Sequence, residues 1–272
     1  MRLLKAIPGA VRTAGQASAL TLGSAGLGKR GLARGPRTRL NVAIGPQRVF
    51  ATARIPLAEA KAIARRFDAT LNDVVLAICA GALRRQFAAD RSVLAQPMIA
   101  AVPASLRAAG DTTQANYVTM MLVGLGTQIA DPVKRLAAIK ESSTRAKSLT
   151  GTLKSAIPTD MPSLGVPWLM AAITPLYRAA TAAKRIPVVA NLIISNVPGP
   201  QMPLYLAGAE LKAYYPVSAV AHGLALNITI LSYNGSLDFG LVAAKKALPG
   251  LRALVRRLHA AHAELSRKAR VG

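Results

Sequence analysis

Residues 191–200, NLIISNVPGP, constrain the fold more than any other stretch of the chain. Leu192, Ile193 and Ile194, with Val188 and Val189 before them, make an apolar run too short for a helix, which reads as a buried β-strand. Pro198 and Pro200 lack the ladder N–H, and Val197 and Gly199 are each restricted by the proline that follows. The strand must therefore end in a stiff turn, with Ser195 and Asn196 at the mouth of whatever the strand leads to. Loops held by a rigid scaffold are where binding groups concentrate, so Ser195, Asn196, Pro198 and Gly199 are candidates for a binding wall. The alternative is a plain strand exit in which Ser195 and Asn196 bond to their own backbone.

Upstream, residues 49–55 read as a strand, followed by a helix opened by Pro56. A second helix starts at Thr70, where Thr70 and Asp73 have capping-box spacing with Asp in place of Glu. Leu71, Val75 and Ile78, with Leu76, Cys79 and Leu83, make this helix apolar over most of its circumference, so it must be buried. Polar groups at the head of a buried helix need partners. Capping accounts for Asp73, whereas Asn72 is either a structural bonding group or part of a site. Strands are expected at 98–103 and 117–123 around a turn-rich 107–116, then a helix from Asp131 and Pro132. Residues 159–180 are apolar around Trp168 and broken by prolines, as core helices, an acyl-binding wall or an interfacial membrane contact would be. Runs at 204–206, 213–215, 224–231 and 237–242 suggest a predominantly antiparallel sheet, with Asn234 and Gly235 forming a primed hairpin turn. A final helix follows Pro249.

The formal charge is +24, from 35 Lys and Arg against 11 Asp and Glu. That exceeds what solubility requires and calls for an anionic partner. No specific nucleic-acid partner is expected, because aromatic residues make up 4% and neither zinc-finger spacing nor aromatic–basic interleaving occurs. The single cysteine, Cys79, lies in an apolar helical run and reads as core. The uncharged stretches are interrupted by polar residues, Gly and Pro, so no transmembrane helix is expected. The N-terminus lacks a compact secretory apolar region with a cleavage site. The expected location is cytoplasmic, with peripheral attachment to the inner membrane face or lipid bodies left open. Residues 1–48 carry nine Lys and Arg and no Asp or Glu, as a basic joint between domains would. Of the three histidines, His259 and His262 have only Glu264 near them, so no metal site is expected. His222 precedes a strand and is placed to bond a ligand, but has no acidic neighbour in sequence to make it a general base.

Six motifs occur in order: PRTRLN ending at Asn41, GPQR ending at Arg48, ATLNDVVLAICAGALR at 69–84, AVPASLR at 101–107, ISNVPGP at 194–200 and LSYNGSLDFG at 231–240. Together they resemble the C-terminal half of the wax ester synthase/diacylglycerol acyltransferase family over residues 36–258. The resemblance implies an α/β fold: the C-terminal lobe of the two-lobed coenzyme A-dependent acyltransferases, with a mixed or mainly antiparallel sheet and packed helices. It divides the chain into a basic linker with a remnant interdomain helix at 1–48 and a C-terminal acyltransferase-like domain at 49–272. It implies transfer of a fatty acyl group from acyl-CoA to a long-chain alcohol or diacylglycerol, with no metal and no permanently bound cofactor.

Asn72 and Asp73 match the family's Asn-Asp motif, which supports the active-site architecture, while Ser195, Asn196, Pro198, Gly199 and His222 become candidates for the substrate tunnel wall. Two departures are Ala115-Asn116, where the family has Gly-Asn, and LVAAKKALPG, which lacks the acidic residue that follows the last hairpin. The family's catalytic H-H-x-x-x-D-G does not occur in the 272 residues, and its second histidine is the general base. The chain is therefore expected to be inactive alone. Its expected partners are an N-terminal acyltransferase domain carrying that motif, or a homo-oligomer, together with an anionic membrane or lipid-droplet surface. A lipid- or membrane-binding domain without chemistry is the alternative class of function.

Overall fold

The computed structural model describes residues 34–105, 118–153, 175, 179–182 and 187–271. Residues 1–33 of the expected linker and remnant interdomain helix, the turn at 107–116, Ala115-Asn116 and the apolar stretch around Trp168 lie outside the described residues. In chain order the elements are β1 (Arg48–Pro56), α1 (Leu57–Arg66), α2 (Leu71–Gln86), β2 (Ile99–Ser105), β3 (Val118–Gly124) and α3 (Pro132–Leu153). There follow β4 (Leu192–Val197), β5 (Tyr205–Leu206), β6 (Ala209–Glu210), β7 (Leu226–Tyr233), β8 (Ser236–Ala244) and α4 (Leu251–Val271).

Six strands form one sheet in the order β1-β8-β7-β4-β2-β3, and β5 pairs only with β6. β4 lies between two parallel neighbours, β2 and β7, while the remaining pairs are antiparallel. The mixed character follows from chain length: β2 to β4 and β4 to β7 are joined by long connections, which parallel pairing needs, whereas β7 and β8 are joined by two residues. In that short turn Asn234 (φ 41°) and Gly235 (φ 78°) both adopt the left-handed backbone of a primed hairpin. Residues 213–215 form no strand.

Side chains alternate between the faces of each strand. Leu192 and Ile194 on β4, Leu226, Ile228 and Ile230 on β7, and Leu237, Phe239 and Leu241 on β8 enter one core with the helices. The centre of that core is α2, buried continuously from Asp73 to Leu83 and packed against α1, α3, α4 and β4. A helix enclosed on all sides reads as apolar all round, which is the pattern its sequence carries. Burial pushes the Cys79 thiol up to about 12, which leaves it uncharged and unreactive at neutral pH. α4 contributes Leu251, Leu254, Leu258, Ala261 and Leu265 at helical spacing, and turns Arg252 and Arg256 to solvent.

The other face of the sheet is crossed by residues 198–225. Gly199 approaches Ser232 so closely that a Cβ would overlap the Ser232 carbonyl oxygen, and its N–H donates to Ser232 Oγ at 3.1 Å. Its φ is not positive, so close approach, and not a left-handed backbone, is what requires glycine there. A Cβ at Gly240 would likewise run into the Pro216 backbone, which places the crossing segment directly on β8.

His262, on α4, is buried. Its Nε2 is 3.4 Å from Glu59 on α1 and 3.3 Å from Ser266 Oγ. Desolvation holds its pKa below the usual histidine value, helped by the nearby charges of His259 and Arg270 and opposed by Glu59. The unfolded chain therefore binds this proton more readily than the native one, so the contribution is absent well above the unfolded pKa of about 6.5 and stability falls as pH drops below it. Denaturant midpoints measured from about pH 7.5 down to about pH 5 should decline, and His262→Gln should flatten that decline.

Candidate functional site

Strand register lays out the face opposite the helices in rows. One row is apolar over β3, β2 and β4: Leu122 pairs with Ala101, Ala101 with Ile193, and Ile193 with Asn227. The next is polar, with Ser195 opposite Thr229 and Thr229 opposite Gly240. The third joins Val197 to Leu231, Asp238 and Arg54. The crossing segment satisfies the polar groups beneath it. Ser218 Oγ and Thr229 Oγ1 are 2.7 Å apart, Asn227 Nδ2 donates to Ala219 O at 2.9 Å, and Tyr214 N donates to Asp238 Oδ2 at 2.7 Å. Arg54 Nε meets Asp238 Oδ1 at 2.7 Å, and that bond raises the Arg54 pKa. Ser195, Ile193, Ala101 and Leu122 thus lie beside the crossing segment, on the strands nearer the β3 edge.

Two buried asparagines hold this arrangement, and sequence reasoning missed their role. Asn191 exchanges both backbone and side-chain bonds with Ile99: its N–H donates to Ile99 O at 2.7 Å, and its Oδ1 accepts from Ile99 N at 2.8 Å. Its Nδ2 donates to Pro36 O at 2.7 Å and to Asn41 Oδ1 at 2.9 Å. Asn41 Oδ1 also accepts from Thr38 N and Thr38 Oγ1, while its Nδ2 donates to Ala190 O and Gly223 O. A signal was available, since an asparagine opening an apolar strand is a buried polar group that must find partners.

His222 is half-buried next to this network. Its Nδ1 accepts the Ile44 N–H at 3.0 Å, which puts the proton of the neutral ring on Nε2. Ser195 and Asn196, expected together at a turn, are consecutive residues inside β4 and point to opposite faces: Ser195 to the crossed face, Asn196 toward the helices beside Ile230. Pro198 and Gly199 begin the crossing segment, Pro198 exposed and Gly199 half-buried on Ser232. The strand itself starts at Leu192, so Val188 and Val189 precede it.

At the head of α2 the capping box is complete. Thr70 N and Oγ1 donate to Asp73 Oδ2 at 3.0 and 2.6 Å, and Asp73 N donates to Thr70 Oγ1 at 3.2 Å. The second carboxylate oxygen accepts from Ser143 Oγ at 2.6 Å, tying α2 to α3. Asn72 is half-buried, and its side chain makes no hydrogen bond among the described residues. The structure therefore separates the pair: Asp73 is committed to bonding and Asn72 keeps its amide. Among the described residues no three His, Cys, Asp or Glu side chains come together as metal ligands.

A family model described as the WS/DGAT C-terminal domain matches residues 114–266. The chain belongs to the wax ester synthase/diacylglycerol acyltransferase family. A putative diacylglycerol O-acyltransferase of Mycobacterium tuberculosis is 40% identical over 225 residues, covering 82% of this chain and 45% of that protein. O-acyltransferase WSD of Acinetobacter baylyi is 37% identical over 230 residues, 82% of this chain and 47% of that one. The chain thus spans about half the length of the curated relatives it matches. Among solved structures, the wax ester synthase/diacylglycerol acyltransferase of Marinobacter aquaeolei VT8 superposes with a TM-score of 0.66 at 31% identity, over 86% of this chain and 52% of that one. A condensation domain of the enacyloxin polyketide synthase, at 17% identity, 82% and 42% coverage and a TM-score of 0.51, shares the fold.

A second family model, the wax ester synthase/diacylglycerol acyltransferase catalytic domain, matches residues 1–75. This overturns the expectation of a C-terminal half alone, for sequence matched by both domain models lies in this one chain. It likewise corrects the fold class expected, a C-terminal lobe only, and the partner expected, a separate N-terminal acyltransferase domain. The reason is physical. A basic, glycine-rich, acid-free composition reads as a linker, but residues 36–44 are bonded to Asn191, Ala190 and the 222–225 segment. β1, also within the matched stretch, completes the sheet through nine residue pairs with β8.

Asp73→Ala removes a cap and leaves Ser143 and Thr70 short of an acceptor, for a loss of about 2 kcal/mol. Asn191→Ala, which strands donors and acceptors on Ile99, Pro36 and Asn41, should cost more. Urea melts of both variants check the order, and an unchanged midpoint for Asp73→Ala would reject the capping account.

Proposed function

We propose that this chain provides the substrate-facing scaffold for transfer of a fatty acyl group from acyl-CoA to a long-chain alcohol or diacylglycerol, the reaction that makes wax ester or triacylglycerol. The observation that carries this reading is its family membership, with relatives named as O-acyltransferases. In such a transfer the acceptor hydroxyl oxygen bonds to the thioester carbonyl carbon, the C–S bond breaks, and the hydroxyl proton ends on the coenzyme A thiol. Asn72, with its amide uncommitted, serves at the head of α2 as a positioning group, and Asp73 keeps that helix end in place. Ser195 presents a hydroxyl on the crossed face, where Pro198, Gly199 and His222 shape the surrounding wall, whereas Asn196 is turned toward the helices.

Removal of the proton is not assigned to this chain's histidines. His222 Nδ1 is occupied by the Ile44 N–H, His259 is exposed on α4, and His262 is buried against Glu59 on the helix side of the sheet. Among the described residues no helix is long and apolar enough to cross a membrane. The charge of +24 supports a cytoplasmic, peripheral position on an anionic inner-membrane face or lipid-body surface, where basic side chains each contribute on the order of 1 kcal/mol.

The purified chain should bind hexadecanoyl-CoA saturably in calorimetric titration, yet release no coenzyme A thiol above a heat-killed control when hexadecanol or dioleoylglycerol is added. Absence of acyl-CoA binding would reject the reading. Ester formation that is lost in a folded His222→Ala variant would instead make His222 the base.

A further inference from the structure

A cavity of about 230 Å³ lies on the crossed face of the sheet, between β2, β3 and the chain segments 187–190 and 223–224. Its wall is made chiefly by Ala101, Leu122, Pro187, Val188, Val189 and Leu224, with Arg37 and Thr181 also touching it. Asn41 is a further polar group in the wall, and its amide has nothing left to offer a ligand. Both of its N–H groups are donated to Ala190 O and Gly223 O, and its oxygen accepts three bonds. Along the six apolar side chains of this wall a polar ligand would lose hydration without regaining hydrogen bonds, whereas an alkyl segment loses nothing there. The volume is below that of pockets for drug-sized ligands, and so is too small for the head group of coenzyme A.

Position adds a direction. Ala101 pairs with Ile193, and Ser195 is two residues further along β4 on the same face, roughly 7 Å away. Beyond it stand Thr229 and its hydroxyl partner Ser218. An alkyl tail in the cavity would therefore run over Ile193 with its polar end at the Ser195 row. We infer that the cavity between Ala101, Leu122, Val188 and Leu224 receives the distal alkyl segment of a lipid substrate and sets the chain length that the site accepts. The inference rests on the acyl-transfer reading for the identity of the lipid, though not for the existence of the alkyl site.

Two substitutions move the cavity in opposite senses. Leu122→Ala enlarges it from a half-buried strand position, and Ala101→Leu fills it. Binding is measured by calorimetry for two ligand series, the octanoyl, dodecanoyl and hexadecanoyl thioesters of coenzyme A and the matching 1-alkanols in dilute detergent, with thermal melts confirming that each variant is folded. Leu122→Ala should move the tightest binding to longer chains. Ala101→Leu should move it to shorter ones and weaken the longest ligand about tenfold, as expected when two or so methylenes lose their burial. Opposite shifts in the alkanol series without any thioester binding would support the cavity's role and reject acyl-CoA as its lipid. Thioesters that bind with a chain-length profile unchanged in both variants would overturn the inference and leave the acyl-transfer reading standing. If only Ala101→Leu fails to fold, Leu122→Ala alone decides: an unchanged profile in that variant overturns the inference.

Discussion

The carboxamide of Asn191 bonds to chain segments that sequence keeps far apart: the start of β2 at Ile99, the backbone at Pro36, and the side chain of Asn41. A strand that enters the middle of a sheet leaves, at its start, backbone groups with no ladder partner, and in a buried position each such group costs on the order of 1–3 kcal/mol. Asn191 supplies those partners at the point where β4 begins. Through Asn41 the same network reaches Gly223 and Ala190, so the segment carrying His222, the rim of the alkyl cavity and the entry to β4 are held by two side chains. Gly35 must be glycine for the same reason, because a Cβ there would overlap the Asn191 amide.

The two faces of the sheet are stabilised by different physics. Toward the helices the contact is hydrophobic and close-packed, with α2 enclosed and its polar head satisfied by Thr70 and Ser143. On the opposite face a crossing segment with little regular structure is fastened by side-chain hydrogen bonds, at Asp238, Thr229 and Asn227, and by glycines that admit its backbone. Directional bonds specify where that segment lies without filling the space beside it. That is how a wall of apolar side chains on the same face as Ser195 keeps an open volume beside the sheet.

Elements whose signals are local were legible in the sequence: the Thr70–Asp73 cap, the Asn234–Gly235 turn, and the burial of α2 and of one face of α4. The family resemblance was carried by motifs that lie in or beside the sheet. What depended on pairing between distant segments was not legible. That Ser195 and Asn196 face opposite ways follows from β4 continuing to Val197, and which neighbours each then meets is set by pairing with distant residues, Thr229 and Ile230. Nor does anything local show that Gly199 must clear Ser232, a residue brought there only by the tertiary fold. The basic stretch before β1 resembled a linker because composition does not disclose that residues 36–44 run alongside 222–225 with bonds at both ends.

The sheet order also governs how the chain reaches its native state. β1, an edge strand, has β8 as its sheet partner, and β8 is made from residues near the other end of the described chain. β2 waits similarly for β4. During synthesis, N-terminal first, Ala53, Ile55 and the apolar flank of α2 emerge long before the strands that cover them. Loop-closure entropy must be overcome before any of these pairings is rewarded, so collapse is slow and depends on the last hairpin. The apolar strands made first therefore stay open to improper association until β8 has been made.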